Sequence, residues 1–584
     1  MKHISLLINL ILIASMLAAC GGATESEVVE KEVTRVVKET VVETVKETVV
    51  IEGTPQTVEQ QVTKVVEVEK IVTATPETEP EPAVGGKLVY VLSADPRTLD
   101  PHKTSLRAEE DIMQYLGASL ITKDPLTDEF IPYLAEDWTV AEDGLTYEFT
   151  LRKDVKFHDG TPFTAHEYAW TLQRAMDPRN QAPIAAMLTG VVSAEALDDY
   201  TLQLKLAWPN YPLLANMALI YDFHPLSPAY VEQMGEDYGR HPMSVGPFKF
   251  KEWQTGEKIV LERNPDFAWG PEHTHGGAPY IETIEFRIIP EYATVVAGLE
   301  SGEIDYAGVQ AKDVDRIKDT GQFQILGALL RGISPFVTLN TVQPPFDDVR
   351  VRQAFNLAVN RDALVQVVMH GRAIPHYGPI SPSVPGYWPG TEYIGYHYNL
   401  DEAKSLMEEA GYSYNDDGML EKDGQALALV LKTTPGSSKT AEVLQEQFGA
   451  LGVEIQIEQL ELGILREEYA SGNYTLGLRG LVHPDISLLF AMFHSSMIGA
   501  WNSSFVNEAQ VDQFIADIVY TADDKVHEEA AIALQRHVVE QAYIVPLYTP
   551  IINKALSSRI QGAVFASAEG LLELYDAYIE MTAP

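Results

Sequence analysis

The change of composition at Gly85 constrains the fold of this chain more than any other feature of its sequence. Residues 24–83 consist mainly of Val, Glu, Thr and Lys and contain no Leu, Phe, Tyr or Trp, although 46% of the 584 residues are hydrophobic. A stretch without Leu or aromatic residues has too little apolar surface to build a packed core. We therefore expect the core and any ligand site to lie within residues 85–584.

Residues 21–84 are predicted to be a low-complexity acidic stalk or linker. The run EVVEKEVTRVVKETVVETVKETVV is followed by the Pro-rich segment TATPETEPEP, which favours an extended chain. The Val/Thr-rich part is compatible with a helix, a coiled coil or a disordered charged spacer, and Val and Thr are mediocre helix formers. We favour a spacer that holds the globular part off a membrane; coiled-coil oligomerisation is the alternative.

Residues 1–20 have the pattern of a signal peptide that ends at the single Cys of the chain. Lys2 precedes an apolar run at 4–19, which is shorter than the ~20 residues that a membrane-spanning helix needs. The run ends in Leu-Ala-Ala-Cys and two glycines, which resembles the bacterial lipobox. We expect lipid on Cys20 to hold the protein at the extracytoplasmic face of a bacterial membrane. An ordinary secretory peptide with a chance Cys is the alternative.

The charge of the chain limits its partners. There are 84 Asp and Glu residues against 42 Lys and Arg residues, so the net charge is −42. A field of this sign repels phosphate backbones and anionic lipids, so we expect no nucleic-acid partner and no membrane contact besides the lipid. One Cys excludes a disulfide framework and Cys-rich zinc or iron–sulfur sites, and we expect no cofactor.

Residues 85–584 alternate between strand and helix patterns, which predicts an α/β fold with several domains. Apolar–polar alternation predicts strands at 87–96 and 146–155. Capping residues and apolar spacing predict helices at 164–178, 349–371 and 399–412. Residues 426–433, 438–452 and 453–461 follow in the order strand, helix, strand, which suggests a parallel βαβ unit.

Signatures of catalysis are scarce in this sequence. It contains no Gly-x-Ser-x-Gly, His-Glu-x-x-His, Walker or Gly-x-Gly-x-x-Gly motif. His158 and Asp159 are compatible with a metal pair, but Asp-Gly-Thr-Pro after His158 favours a tight turn. His273 and His275 form an HxH pair, which binds a metal in some proteins. Gly and Pro on both sides favour a solvated loop there.

The motifs of residues 85–584 resemble, in order and from end to end, the family 5 extracellular solute-binding proteins of ABC transporters. This family includes oligopeptide-, dipeptide- and nickel-binding members. The resemblance is carried by GGKLVYVLSADPRTLDPH, LAEDWTVAEDGLTYEFTLRKDVKFHDGTPFTAHEYAWTLQRAMDP, SVGPFKFKEW, LERNPDF, IEFRIIPEYAT, LESGEIDYA, PFDDVRVRQAFNLAVNRDALV, DEAKSLMEEAGY and AYIVPLYTP.

The resemblance implies a three-domain, two-lobed fold with a ligand cleft between the lobes. Lobe I would comprise 85–116, 208–332 and 546–584; domain II would be the insertion 117–207, and lobe II (domain III) would be 333–545. The connections would lie near 331–335 and 544–547. Such a protein binds ligand by hinge closure and presents it to a membrane permease with ATPase subunits. It breaks no bond, so we expect no catalytic residue.

The ligand is less certain from the sequence, because the segment 478–495 departs from the peptide-binding pattern Gly-Trp-x-x-Asp-Tyr-x-x-Pro. Leu481 occupies the place of the aromatic residue, and Leu481 or Val482 the place of the Asp that pairs with a peptide amine. A different gap would give that role to Asp485. The candidate ligand-binding residues implied by the resemblance are Ser105, Leu106, Arg107, Arg479, Gly480, Leu481, Val482, His483 and Asp485.

Several functions remain open at this point. Capture of peptides for an ABC importer is the main hypothesis. An oligosaccharide or another polar solute is the alternative, which the altered amine site favours; nickel is a weaker one. A surface sensor or adhesin that uses the same fold is a fourth possibility, which the unusual stalk permits.

The lipobox interpretation predicts the behaviour of the Cys20→Ser variant. Without the thiol there is no attachment point for lipid, so the variant is expected to be released from the membrane or to keep its signal peptide. Membrane fractionation with mass determination of the N-terminus measures this. A wild-type chain recovered as soluble protein with a free Cys20 thiol would contradict the interpretation.

Overall fold

The computed structural model describes residues 34–51, 54–71, 82–125, 127–483, 485–566 and 570–580. The chain divides into two compact units, Met1–Glu81 and Pro82–Pro584. The predicted signal peptide and Cys20 lie outside the described residues, so the lipid remains a prediction. No helix in the described ranges is long and apolar enough to cross a bilayer.

The first unit contains a two-stranded antiparallel sheet rather than a helix. Strand Thr34–Ile51 pairs along its whole length with strand Thr54–Ile71. The expectation of a helix, a coiled coil or a disordered spacer is therefore wrong for these two strands. The physical reason is their high content of Val and Thr, whose β-branched side chains favour extended backbone. The role of this unit as a stalk stays a prediction.

The second unit contains three larger sheets among its described residues. Sheet 1 has eight strands, of which the first seven pair in the order given and the last pairs with Tyr548–Ser557: Phe248–Gln254, Lys258–Arg263, Thr283–Ile288, Lys87–Leu92, Tyr306–Val309, Tyr548–Ser557, Phe323–Leu329 and Ala373–Pro375. Sheet 2 has five, in the order Glu454–Gln459, Ala428–Thr433, Leu476–Leu481, Ile333–Leu339 and Ile544–Pro546. Sheet 3 has four, in the order Ala135–Val140, Thr146–Leu151, Thr201–Leu206 and Val191–Asp198.

Small sheets and helices complete the described part of this unit. The short strands are Ile121–Lys123 with Phe130–Pro132, Ser413–Tyr414 with Leu420–Lys422 and Gln425–Ala426, Ile560–Gln561 with Tyr578–Ile579, and Val564–Ala566 with Leu571–Glu573. The α-helices are Arg107–Leu116, Ala165–Met176, Leu213–Met217, Ile220–Phe223, Pro228–Met234, Tyr292–Ser301, Val314–Lys318, Val349–Leu357, Arg361–Met369, Thr391–Ile394, Leu400–Glu409, Ser438–Ala450, Leu462–Ser471, Leu488–Phe493, Ala509–Val519 and Asp524–Gln541. The 3-10 helices are Pro183–Leu188, Gly235–Arg240, Ala311–Asp313, Pro435–Ser437 and Ser495–Met497.

The α/β prediction and most of the predicted elements are confirmed. Strands Ala428–Thr433 and Glu454–Gln459 pair in parallel and flank helix Ser438–Ala450, as the βαβ pattern predicts. The helix predicted at 349–371 is two helices in the structure. Asn360 begins the second by accepting the backbone N–H of Ala363, so a helix start interrupts the predicted run.

Besides the excursion to the short strand Ala373–Pro375, the chain crosses between sheets 1 and 2 at two neighbouring places. It leaves sheet 1 after Leu329 and enters sheet 2 at Ile333, and it returns between Pro546 and Tyr548. The two crossings are adjacent because Ile333–Leu339 and Ile544–Pro546 pair in sheet 2. Two adjacent short connections are typical of a hinge between rigid bodies.

The two histidine motifs singled out above have structural roles. The Asp159 carboxylate accepts the N–H of Thr161 at 2.9 Å, which confirms the predicted turn. Burial lowers the pKa of His158 to about 3, and its Nε2 lies 3.2 Å from the carbonyl of Gly246.

The HxH pair lies in a loop, as predicted, and His275 is exposed, but His273 is not solvated as expected, because each histidine binds a carboxylate of the C-terminal segment. His273 Nε2 lies 3.0 Å from Glu573 Oε2, and the His273 side chain is only 12% exposed. His275 Nδ1 contacts Asp576. Within the described ranges no group of three or more His, Cys, Asp or Glu residues is arranged to hold a metal ion. The two pairs fasten the segment around Glu573 to the loop around His273.

The His273–Glu573 pair predicts a pH-dependent stability. Burial lowers the pKa of His273, but the hydrogen bond and charge of Glu573 outweigh it, so the pKa lies above 6.5 in the folded state. The pair therefore stabilises fully below pH 6.5 and loses its effect as the pH rises through the folded-state pKa. Glu573→Gln is expected to reduce the free energy of unfolding by about 1 kcal/mol at pH 5.5 and by less at pH 8.5. Urea unfolding at both pH values measures this; an equal loss at both would contradict it.

Candidate ligand-binding site

The candidate site is built around the loop that follows strand Leu476–Leu481. This strand pairs antiparallel with Ile333–Leu339, and Ile333 lies opposite Leu481. Gly332, at the hinge, has φ +97°, and a Cβ at this position would lie 2.2 Å from the carbonyl oxygen of Leu481. Only glycine fits both the left-handed backbone and this close approach. Gly332 thus fixes where the loop leaves sheet 2.

The first cavity at this loop, cavity A, has a volume of about 600 Å³. Its walls come from two separated parts of the chain, residues 183–216 and 481–520. Aromatic and aliphatic side chains dominate them, and no Lys, Arg, Asp or Glu is among the described residues that line it. The lining residues are Pro183, Ala186, Met187, Thr189, Asn210, Pro212, Asn216, Leu481, Val482, His483, Ser487, Leu488, Phe490, Ala491, Met497, Trp501, Val519 and Tyr520.

Two asparagines of cavity A hold its wall in place. The side-chain amide of Asn210 donates to the carbonyl of Thr189 at 2.8 Å. That of Asn216 donates to the carbonyl of Met187 at 3.2 Å. Both amide groups therefore have protein partners, which leaves the cavity with mainly apolar surface.

Arg479 and Gly480 do not line either cavity described here. The Arg479 guanidinium donates to Ser503 Oγ at 2.5 Å and lies 5.7 Å from the ring of Trp501 and 5.4 Å from that of Tyr469. Burial lowers its pKa. Arg479 is thus a positioning residue for Trp501, while Gly480 is exposed on the strand.

The second cavity, cavity B, has a volume of about 380 Å³ and shares Pro212 and Asn216 with cavity A. In contrast to cavity A, its lining is charged. Lys123, Arg331, Asp485 and Asp524 all contribute to it. The remaining described lining residues are Phe130, Val140, Gly144, Tyr147, Tyr211, Pro212, Leu214, Ala215, Asn216, Leu219, Pro385, Thr521 and Ala522.

The charges of cavity B are unequally paired. Lys123 forms an ion pair with Asp128 at 3.0 Å. Asp485 and Asp524 have no ion pair within 4 Å in the part of the chain that the structure describes. Burial and the negative charges of Asp524 and Asp485 raise the pKa of Tyr211 to about 12. The two carboxylates beside Tyr211 therefore offer negative charge to a cationic group of a ligand.

Asp485 also has a local structural role. Its Oδ1 accepts the N–H of Ser487 at 2.6 Å, and its own N–H donates to His483 Nδ1 at 3.2 Å. A side chain of Asp that accepts the backbone N–H two residues ahead forms an Asx turn. This turn precedes helix Leu488–Phe493. The second carboxylate oxygen of Asp485 has no hydrogen bond within the described chain.

Aromatic contacts join the two walls beside the cavities. The backbone N–H of Tyr211 donates to the carbonyl of Val519 at 3.1 Å. The ring of Tyr211 stacks on that of His527 with centroids 3.6 Å apart, and Trp208 meets Tyr520 edge-on at 6.3 Å. These contacts connect residues near sheets 1 and 3 to helices that pack beside sheet 2.

The three candidate residues from the N-terminal part of the unit lie apart from these cavities. Ser105 and Leu106 are exposed immediately before helix Arg107–Leu116. Arg107 forms an ion pair with Asp111 at 2.7 Å, and its Nη2 donates to the carbonyl of Gly570 at 2.9 Å. The structure thus brings Leu481, Val482, His483 and Asp485 to the two cavities but not residues 105–107.

The sequence did not indicate which aromatic residues line the cavities. Phe490 lies within the altered segment 478–495, whereas Tyr211, Trp501 and Tyr520 lie outside this segment and outside the family motifs. Their general abundance was the only available signal. Asp524 was also missed, because at the start of a helix it has the pattern of an ordinary exposed carboxylate.

Comparison with known proteins decides the family. Residues 129–494 match the model of "Bacterial extracellular solute-binding proteins, family 5 Middle". The chain belongs to this family. Its α/β, multi-sheet architecture is the fold of these binding proteins, and the chain is accordingly an extracytoplasmic solute-binding protein of ABC transport, as its motifs predict.

Individual relatives agree with this assignment. The oligopeptide-binding protein AppA of Bacillus subtilis is 28% identical over 500 residues, covering 82% of this chain and 89% of AppA. The glutathione-binding protein GsiB of Escherichia coli O1:K1 / APEC is 27% identical over 496 residues, covering 82% and 91%. The structure of AppA in complex with a nonapeptide superposes with a TM-score of 0.68 at 26% identity, covering 85% of this chain and 100% of that chain.

The close approach at Gly332 predicts the effect of Gly332→Ala. The added Cβ meets the backbone of residues 481–483, so the loop has to move, in addition to about 1 kcal/mol or more of left-handed backbone strain. We expect a lower unfolding midpoint and weaker ligand binding. Gly256→Ala is the matched control, because Gly256 has φ +73° but no atom within 4 Å of an added Cβ. Equal effects of the two variants would contradict the role of Gly332.

Proposed function

We propose that this protein is the peptide-binding component of an ABC importer, and that it holds the peptide in cavities A and B. The main support is the pair of adjoining cavities at the loop after strand Leu476–Leu481, one apolar and one charged. A peptide has both kinds of surface, since its side chains are often apolar and its termini are charged. The relative AppA, whose structure contains a nonapeptide, supports the same ligand class.

Cavity A is suited to apolar and aromatic peptide side chains. Phe490, Trp501 and Tyr520 provide large flat surfaces whose ordering costs little entropy. A volume of about 600 Å³ is within the usual range of small-ligand sites. An oligosaccharide needs many hydrogen-bonding partners, but few polar side chains line cavity A, and the Nδ2 groups of Asn210 and Asn216 donate to carbonyl groups of its wall. The cavity therefore favours peptide over the sugar alternative.

Cavity B is suited to the amino terminus of the peptide. Asp485 takes the role of the amine-pairing carboxylate, and Asp524 adds a second negative charge. Leu481 and Val482 cannot pair with an ammonium group, and burying an unpaired charge is unfavourable. Asp485, at a shifted position, thus compensates for the loss of the amine-pairing Asp from the peptide-binding pattern.

Ligand capture proceeds by hinge closure about the two crossings next to Gly332 and Leu547. The contacts of Tyr211 with Val519 and His527 belong to the closed state. In that state the aromatic pairs Tyr211–His527 and Trp208–Tyr520 close the cleft beside the cavities. In the predicted domain division, these pairs join lobe I to lobe II. Sheets 1, 2 and 3 lie mainly within lobe I, lobe II and domain II respectively, which supports that division.

The closed protein delivers its ligand to a membrane permease with ATPase subunits. The unit that precedes Pro82 is the stalk, and lipid on Cys20 holds it at the membrane. The whole assignment of lipid, stalk and permease partners rests on sequence motifs and on the family.

The amine site predicts a difference between a peptide with a free amino terminus and its acetylated twin. A charge-assisted pair contributes enough that the free peptide is expected to bind roughly tenfold or more tightly. Asp485→Asn is expected to remove most of this preference, because Asn keeps the turn with Ser487 but not the charge. Isothermal titration of both peptides measures it.

The matched control is Glu195→Gln, which removes an exposed carboxylate of sheet 3. It is expected to leave the preference unchanged. Near-equal affinities of the two peptides for the wild type would show that Asp485 does not serve the amine. Binding of neither peptide would overturn the proposed function itself.

A further inference from the structure

A third cavity, cavity C, lies beside cavity B and has a volume of about 230 Å³. Lys123 lines both cavities. The walls of cavity C include the last turn of helix Arg107–Leu116, the turn after strand Ile121–Lys123 and strand Leu571–Glu573. An engineered cavity of about 150 Å³ in another protein holds benzene, so cavity C has room for a small organic group.

Two polar side chains in the wall of cavity C are almost completely buried and keep an unused hydrogen-bonding group. Gln114 and Thr122 are only 7% and 8% exposed. The Nε2 group of Gln114 donates to the carbonyl of Asp111 at 3.1 Å. The Gln114 Oε1 atom and the Thr122 hydroxyl group have no hydrogen-bond partner among the described residues. Buried polar groups almost always have a partner, so these two are available to a molecule in the cavity.

The described lining of cavity C carries more negative than positive charge. Lys123 forms an ion pair with Asp128 at 3.0 Å, and His273 with Glu573 at 3.0 Å. Asp124 adds a third carboxylate to the same lining. One negative charge is therefore in excess even when His273 is protonated.

The unused hydrogen-bonding capacity of cavity C is mainly that of acceptors. The carbonyl oxygen of the Gln114 side chain and the carboxylates only accept hydrogen bonds, and the Thr122 hydroxyl group can accept one as well. An anion would meet the excess negative charge, and an apolar group would leave Gln114 and Thr122 without partners. A guanidinium group has five N–H donors and an ammonium group has three, and each carries the complementary positive charge.

We propose that cavity C binds a guanidinium or ammonium group. Gln114 Oε1 and the Thr122 hydroxyl group accept hydrogen bonds from it, and Asp124 supplies the excess negative charge. The group belongs either to an Arg or Lys side chain near the amino terminus of a peptide in cavity B or to a separate small cation. The first source rests on the proposed function, whereas the second is independent of it.

Two small probes of nearly equal shape test the site in the full-length protein. N-ethylguanidinium carries the positive charge and the fork of donors, and N-ethylurea is its neutral counterpart. We expect N-ethylguanidinium to bind about tenfold or more tightly than N-ethylurea in calorimetric titrations. It is also expected to raise the midpoint of thermal unfolding, because a ligand that binds only the native state stabilises it.

Two variants connect this binding to cavity C. Thr122→Val removes the hydroxyl group and keeps the branched shape. Asp124→Asn removes the charge and keeps an acceptor for the N–H of Thr127, which Asp124 Oδ1 accepts at 2.9 Å. Each variant is expected to weaken the binding of N-ethylguanidinium about tenfold.

The matched control is Asp198→Asn in sheet 3. Asp198 is exposed, and its Oδ1 likewise accepts a backbone N–H, that of Tyr200 at 2.8 Å. This variant is expected to leave the binding of N-ethylguanidinium unchanged. Comparable unfolding midpoints without ligand show that the variants are folded. Binding of N-ethylguanidinium that neither Thr122→Val nor Asp124→Asn weakens overturns the site.

A pair of peptide pools identifies the source of the cation. One pool has a single Arg among its first three residues, and its twin has the neutral citrulline at the same place. A preference of about tenfold or more for the Arg pool that Asp124→Asn abolishes assigns cavity C to a peptide side chain. Binding of N-ethylguanidinium without a preference between the pools assigns it to a separate small cation.

The same probes separate a failure of this site from a failure of the proposed function. Equal binding of both pools, with no binding of N-ethylguanidinium, overturns the cation site and leaves peptide binding intact. Binding of neither pool, together with Asp124-dependent binding of N-ethylguanidinium, keeps the cation site and overturns peptide as the ligand. Binding of no probe overturns both.

Discussion

The two neighbouring crossings between sheets 1 and 2 are the constraint on which the rest of the molecule depends. Strands Ile333–Leu339 and Ile544–Pro546 pair directly, so the two crossings lie side by side. At one of them, Gly332 allows the backbone of the ligand-side loop to approach where any other residue would clash. The same few residues therefore connect the lobes, permit their closure and position the loop that lines both cavities.

Charge is distributed unequally over the proposed ligand surface. Cavity A is apolar, whereas cavity B contains the carboxylates Asp485 and Asp524, which form no ion pair among the described residues. A peptide with apolar side chains and a free amino terminus complements both cavities. The large negative net charge does not determine this choice; it acts over longer distances and is screened by salt within about 8 Å at physiological ionic strength.

The sequence predicted the fold well but the site only in part. Regular elements such as the βαβ unit at 428–459 have local signals, namely apolar periodicity and caps, which the structure confirms. The strand pair Thr34–Ile51 and Thr54–Ile71 was missed because charged Val/Thr repeats have no distinctive period. Cavity A could not be predicted from the sequence either, because only the tertiary fold brings Trp501 and residues 183–216 to the same cavity.

The most direct test of hinge-driven peptide capture is a distance measurement between the lobes. Spin labels at Glu195→Cys and Glu528→Cys, two exposed positions near sheets 3 and 2, report the separation of the walls. Cys20→Ser removes the only other cysteine. We expect a broad distribution without ligand that narrows, on saturation with peptide, to the separation found in this structure. An unchanged distribution in a sample that binds peptide by calorimetry would contradict the account.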